Sequence, residues 1–461
     1  MDGGRKSLRL KALLKRIFDI VTFLLISAVL LTGAADARGQ KISLIRDAEI
    51  ENTIRNFSTP VFLAANLDPS AVKIHLVRDK TLNAFVAGGQ RLFINTGMLT
   101  QAKSAEQIIG VIAHETGHIS GGHLARIQDA LKGSTATTIL SIILGGAAIG
   151  AGRGDIGSVI IAGGQGVIMR NFLSYTRTQE SAADQAALKY LDKIKISARG
   201  FLEFMEILGD QELQAPERQD PYVRTHPLTR NRVAAIAYHV ANSPYSDNAV
   251  SPEFDIAFRR MRAKLYGYLN PIGYTLRVYK ESDNSLESRY ARAVGYYREP
   301  NLKKAVPLID GLIAEYPKDP YFRELKGQML FENGKPEAAL VSYKNAVTLL
   351  PDSPLIRRDL ARVQLALNDP ALLEPAIKNL RIAIADAPES PFTWRQLAIA
   401  YGRRGDKGHS SLALAEEALL TGKKSVALYH AGLAERLFPH GSREWLQSQD
   451  ILLAARQKKK R

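Results

Sequence analysis

The sequence contains no cysteine. That excludes disulfides, cysteine-based zinc sites, a thiol nucleophile and a cysteine-anchored lipoprotein. It has no convincing run of about 20 apolar residues, so a multi-span membrane protein is not expected. Acidic residues are the minority charge, 46 against 62 basic ones, for a net +16. Such a surplus suits nucleic acid, an anionic membrane surface or acidic partners. The charge is scattered, however, and no RNA- or DNA-binding motif is present, so no nucleic-acid partner is expected. The closing "QKKKR" reads as a solvated basic tail, with contact to a membrane surface or a partner as the alternative.

What is present fits a folded chain of two or three domains, with 461 residues, 46% of them hydrophobic and 23% charged. "RKSLRLKALLKR" carries six positive charges and no negative one, and the apolar run "IVTFLLISAVLL" follows it. Ala35 and Ala37 then form an A-x-A cleavage pattern. This order predicts a secretory signal peptide over residues 1–37, hence export to the periplasm with possible membrane association. Twelve residues make a short membrane span. An uncleaved anchor is the alternative, since Asp19 borders the run.

Ile50, Ile54 and Phe57 share one face of a helix expected over 44–57, with Pro60 ending it or opening a further turn. "VKIHLVRD" alternates Val72, Ile74 and Leu76 with Lys73 and His75, the period of a half-buried strand. "NAFVAGGQRLFINTGML" reads as a hairpin around Gly88 and Gly89. Ser104 and Gln107 fit a capping box that opens another helix. Residues 133–152 and 156–169 are uncharged and rich in glycine and alanine. They read as a buried helical hairpin, or as a mobile apolar lid or client-binding surface.

After Pro252 the composition shifts. Ala293, Tyr296, Ala305 and Pro317 recur 34 residues later as Gly327, Leu330, Ala339 and Pro351. A third copy supplies Ala361, Ala376, Ala383 and Pro388, offset by three residues, and a fourth starts at Trp394. Small residues at helix crossings with this period are the tetratricopeptide signature. Stacked helix pairs give a superhelix with a concave, peptide-sized groove. The expected organisation is a folded N-terminal domain over 38–250, a linker over 251–284, repeats over 285–445 and a basic tail over 446–461. The fold class is mainly α with a small β-sheet (α+β), followed by an α-solenoid.

The chemistry centres on "HETGH". Residues four apart on a helix turn through about 400°, so His114 and His118 share a face and can each give one nitrogen to a single Zn²⁺. Glu115 points about 100° away, where it can take a proton from a water at the metal. A catalytic zinc needs a third protein ligand and an open position. His123 lies five residues after His118, about 140° round a continuing helix, and reads as structural or solvent-facing. Glu180 is the better ligand. Asp184 stands one turn on and can accept a hydrogen bond from a ligating histidine. The competing reading is two surface carboxylates. In "THPLTRNR", His226 precedes Pro227 on a turn before a helix carrying Arg232. It is a plain turn histidine, an oxyanion stabiliser, or an occupant of the open zinc position.

"NAFVAGG", "HETGH", "ESAAD" and "THPLTRNR", in that order, resemble the zinc metallopeptidase family of the membrane CAAX-prenyl endopeptidase and the bacterial heat-shock protease HtpX. The signal peptide and repeats resemble its exported, tetratricopeptide-bearing branch. The resemblance implies one zinc per chain on His114, His118 and Glu180, with Glu115 as catalytic base. It implies Asp184 behind the ligands, His226 as a switch near the zinc, and Arg232 as the arginine that follows it. It implies that substrate backbone adds to the strand of Asn83, Ala84, Phe85, Val86 and Ala87. Implied clients are unfolded or misassembled outer-membrane proteins, with the repeats binding the assembly machinery or the client. The function expected is zinc endopeptidase with chaperone-like repeats. The alternatives are a mainly non-proteolytic assembly factor and an inner-membrane-tethered protease.

Overall fold

A computed structural model describes residues 43–123, 166–212, 222 and 226–457. The expected signal peptide, nearly all of the 133–169 segment, Thr225 and the last four residues lie outside them.

The first half places helices against a small sheet. Strands β1 (Leu44–Ile45), β2 (Lys73–Val77), β3 (Ala84–Ala87) and β4 (Arg91–Asn95) lie in the order β1-β2-β4-β3. β2 runs parallel to β4, while β1 pairs antiparallel with β2 and β3 antiparallel with β4. The expected hairpin is present, and Gly88 and Gly89 take the positive φ its turn needs. β3 pairs only with β4 among the described residues and forms an edge.

Helix α1 (Ala48–Ala64) starts later than expected, because Leu44 and Ile45 join the sheet and Asp47 caps the helix by accepting from the Ile50 amide at 2.9 Å. It also continues through Pro60. The carbonyl that the proline leaves unpaired belongs to the exposed Asn56, where water can satisfy it, while Val61 and Phe62 are fully buried beyond. A short α2 (Thr96–Gln101) leads to α3 (Ala105–Ser120). Ser104 caps α3 through the Gln107 amide, and Gln107 returns a hydrogen bond from the Lys103 amide. α3 is buried on every side from Gln107 to His118, packed among α1, α4 (Gly166–Lys193) and α5 (Arg199–Glu212), with α6 (Arg230–Asn242) against α5.

The segment expected as a linker holds two helices, α7 (Pro252–Leu269) and α8 (Ile272–Val278). Pro252 starts α7 at its first turn, the place where proline costs no hydrogen bond. Phe258, Met261 and Leu265 of α7 share one core with Ile50, Ile54 and Ile108. Ten further helices follow: α9 (Leu286–Arg298), α10 (Leu302–Glu315), α11 (Pro320–Glu332), α12 (Pro336–Leu349), α13 (Pro354–Ala366), α14 (Leu373–Asp386), α15 (Pro391–Arg404), α16 (Lys407–Leu420), α17 (Lys424–Leu437) and α18 (Arg443–Arg456). Each packs on the next, an α-solenoid. Ala293, Ala305, Ala339, Ala361 and Ala376 are fully buried at its crossings. The expected tail is ordered as far as Arg456, since Ile451, Leu452 and Ala455 of α18 complete the last core. Among the described residues no helix is long and apolar enough to cross a membrane.

α7 ties the two halves together. Lys264 lies 2.8 Å from Asp47 and 3.3 Å from Glu49 of the α1 start. Arg260 reaches Glu49 at 2.8 Å and Asp319, the α11 cap, at 2.5 Å. Tyr290 of α9 donates to Glu49 at 2.5 Å.

Candidate metal centre and active site

His114 and His118 project from one face of α3 at i and i+4, with Nε2 atoms 3.1 Å apart. Gly117 lies between them in sequence, and its lack of a side chain sets what faces them. A Cβ there would come within 2.8 Å of the Ala183 carbonyl oxygen. α4 therefore packs directly on α3 and brings Glu180 and Asp184, one turn apart, against the histidines. Glu180 lies 3.4 Å from His114 Nε2 and 3.4 Å from His118 Nε2. The turn before α6 adds His226, whose Nδ1 is 3.1 Å from Glu180 and 3.4 Å from His114 Nε2.

One ligand atom from each of His114, His118, Glu180 and His226 can be chosen so that all lie within 4.8 Å of one another, and all four residues are buried. Two imidazoles, a carboxylate and a further imidazole are a zinc-type donor set. The surroundings support this. Burial pushes His114 down, yet contacts with Asp184 and Glu180 outweigh it and raise its pKa to about 9. A proton on that ring and a dication are alternative ways to compensate the buried carboxylates. Burial drives His118 down to about 3, which keeps a neutral lone pair. Glu180 is pulled well below its ordinary value, because the three histidines outweigh its burial.

Asp184 sits behind the cluster. Its Oδ1 is 2.9 Å from His114 Nδ1. Arg232 clamps it with donors at 2.6 Å and 2.8 Å, and also reaches the Pro227 carbonyl at 2.9 Å and Glu180 at 3.2 Å. Burial raises Asp184, but Arg232 and His114 bring its pKa below the ordinary value.

Glu115 stands outside the four-residue group and is fully buried, with the Val86 amide of β3 beside its carboxylate. His226 Nε2 lies 3.5 Å away. Burial raises the Glu115 pKa against the opposing pull of His226 and His114, the shift a proton acceptor at neutral pH needs. β3 runs beside it. Asn83 precedes the strand, and its carbonyl accepts from the Asn95 amide at 3.0 Å. That pair fixes the alternation, so Ala84 and Val86 turn their N–H and C=O groups away from β4, while Phe85 and Ala87 pair with it.

The expected residues thus come together around one point, the edge strand beside Glu115. Residues 45–240 match the family model described as peptidase family M48. That stretch carries the whole cluster and is similar to the M48 peptidases. The M48 peptidases use zinc, so the enzyme is a zinc metalloendopeptidase, and the cluster fits its ion. The similarity to named M48 proteins extends into the repeats. The chain is 26% identical over 394 residues to the beta-barrel assembly-enhancing protease of Yersinia pestis, covering 84% of this chain and 79% of that one. It is 23% identical over 392 residues to the protein of that name in Escherichia coli K12, covering 84% and 78%. Metalloprotease LoiP of the same bacterium is 24% identical over 171 residues, covering 37% of this chain and 63% of that one.

Tyr222 escaped the sequence reading, and His123 was read there only as structural or solvent-facing. Tyr222, fully buried, stacks on the His226 ring at 4.4 Å between centroids. Its spacing of four from His226 was the available signal. His123 is neither solvent-facing nor remote. It is buried, with its Nδ1 2.9 Å from His118 Nδ1. It is not one of the four clustered residues, as the rotation argument held, but α3 ends at Ser120 and the chain beyond it returns the ring to His118.

Proposed function

We propose a periplasmic zinc endopeptidase that cleaves unfolded or misassembled outer-membrane proteins, with the repeat solenoid selecting clients or docking on the assembly machinery. The convergence of His114, His118 and Glu180 on one point carries the reading. The names of the Yersinia and Escherichia relatives supply the outer-membrane context. When bound, zinc would polarise the scissile carbonyl and activate a water. His114, His118 and Glu180 would hold it, with Asp184 and Arg232 fixing their orientation. Glu115 accepts the proton of the attacking water and returns it to the leaving amine. Substrate lies extended along β3, its backbone paired with the outward groups of Ala84 and Val86. Such pairing needs an unfolded segment, which suits a stalled client.

Metal analysis of wild type beside Glu180→Ala tests the site. About one zinc per chain, lost in the variant, is expected. Zinc retained in the variant would remove the assignment. A start at Arg38 in N-terminal sequencing is the expected outcome for export with cleavage, and an intact N-terminus would favour the tethered form.

His226 has a second role to weigh. Its ring nitrogen lies as near to Glu180 as the ligand nitrogens do, so it would compete with substrate for a bound zinc. The resting enzyme is then self-blocked. His226→Ala should raise cleavage of an unfolded substrate while leaving zinc content unchanged. A loss of cleavage would instead assign His226 to oxyanion stabilisation.

A further inference from the structure

α3 stops at Ser120, and its cap, Gly121, donates to the Gly117 carbonyl at 2.9 Å. Gly122 then takes φ +62, a left-handed turn that suits glycine. The chain doubles back, and the His123 ring meets the His118 ring edge-on, with centroids 5.0 Å apart. The contact is nitrogen to nitrogen. His123 Nδ1 lies 2.9 Å from His118 Nδ1, while His118 Nε2 faces His114 and Glu180. Two buried imidazoles can share such a contact only if one donates and the other accepts.

We propose that His123 is a positioning residue for the metal site, accepting a hydrogen bond from His118 Nδ1–H and so committing the Nε2 lone pair of His118 to zinc. A neutral imidazole has one N–H and one lone pair. If Nε2 is to bind metal, the proton must sit on Nδ1, and a buried N–H there requires an acceptor. His123 Nδ1 is in place for it, which puts the His123 proton on Nε2. The two helix ligands are thus steadied differently, His114 by a carboxylate and His118 by a second imidazole. Glycine at 121 is part of the device. A Cβ there would lie 2.4 Å from His123 Nε2 and 2.8 Å from its Cδ2, so the ring could not fold back.

The proposal rests on the zinc reading of the cluster. Its test is zinc affinity, measured by competition with a chromogenic chelator at neutral pH, with no turnover required. His123→Ala should bind zinc about 10–100-fold more weakly. His123→Gln, whose side-chain oxygen can accept the same hydrogen, should recover most of that loss. Gly121→Ala should weaken zinc as well, with both imidazoles still present. The proposal is overturned if His123→Ala stays within about twofold of wild type, or if glutamine does no better than alanine. Should His123→Ala fail to fold by circular dichroism, Gly121→Ala decides, and wild-type affinity in that variant overturns the proposal. Wild-type protein that binds no zinc would sink the metal reading instead.

Discussion

Replacing Arg232 with methionine strands a buried carboxylate. Arg232 is 3% exposed and Asp184 4%, and the two are joined by donors at 2.6 Å and 2.8 Å. Methionine refills part of the volume but leaves Asp184 without its main counter-charge and Glu180 without a contact at 3.2 Å. Breaking a buried pair by removing one partner costs about 3–5 kcal/mol. For a domain of this size each kcal/mol lowers Tm by roughly 2–4 °C, so a fall of about 6–20 °C is expected. The assay is thermal unfolding of chelator-treated protein followed by circular dichroism. The double variant with Asp184→Asn should be less destabilised than the sum of the two single variants, by about 1 kcal/mol or more. Acid sharpens the test. The Asp184 pKa is depressed on folding, so its stabilising contribution is present above its unfolded value of about 3.9 and is lost as pH falls through the folded value. Wild type should therefore approach the variant in acid. A variant within about 3 °C of wild type at neutral pH would refute the reasoning.

Glu115→Gln should keep zinc and lose about 10²–10⁴-fold in cleavage of an unfolded substrate, read by fluorescence release. Unchanged turnover would remove Glu115 as the base. Ala84→Pro deletes one outward N–H at the first residue of the edge strand, a position where proline is tolerated. It should fold and bind zinc normally yet cleave poorly, and normal cleavage would move the substrate elsewhere. Glu324, buried near Lys264, has its pKa raised to about 8 by burial. A raised folded pKa means stability is lost as pH rises through that value. Glu324→Gln should therefore have a higher Tm than wild type in mild alkali and a similar one in mild acid. The opposite order would show that the carboxylate ionises in a favourable ion pair.

The parts of the site that local physics dictates were legible. Ser104 and Gln107 announced α3, and the i, i+4 spacing put His114 and His118 on one face. Glu180 and Asp184 were found by the same spacing, although their approach to the histidines depends on Gly117 lying flat on Ala183. Long-range pairing was not legible. No pattern in "VKIHLVRD" tells that β2 runs parallel to β4, because that depends on β3 taking the place outside β4 and leaving β4 beside β2. Helix boundaries misled twice. Pro60 read as a stop or the opening of a further turn, but the helix runs on through it, the residue one turn before being the exposed Asn56. Gly121 and Gly122 passed as ordinary positions, and so His123 was projected onto a helix that had already ended. Pro252 looked like a seam because it marks a change in composition, yet it opens the helix that welds both halves.

Glu49 sits in the first turn of α1, and its charge is balanced by Arg260, Lys264 and Tyr290, more than 200 positions later in the chain. An acid sealed from water without those partners is costly. A polypeptide delivered N-terminus first must therefore wait for α7 and α9 before α1 can settle. The catalytic half is thus fixed by cations that lie far along the chain from the acid they neutralise.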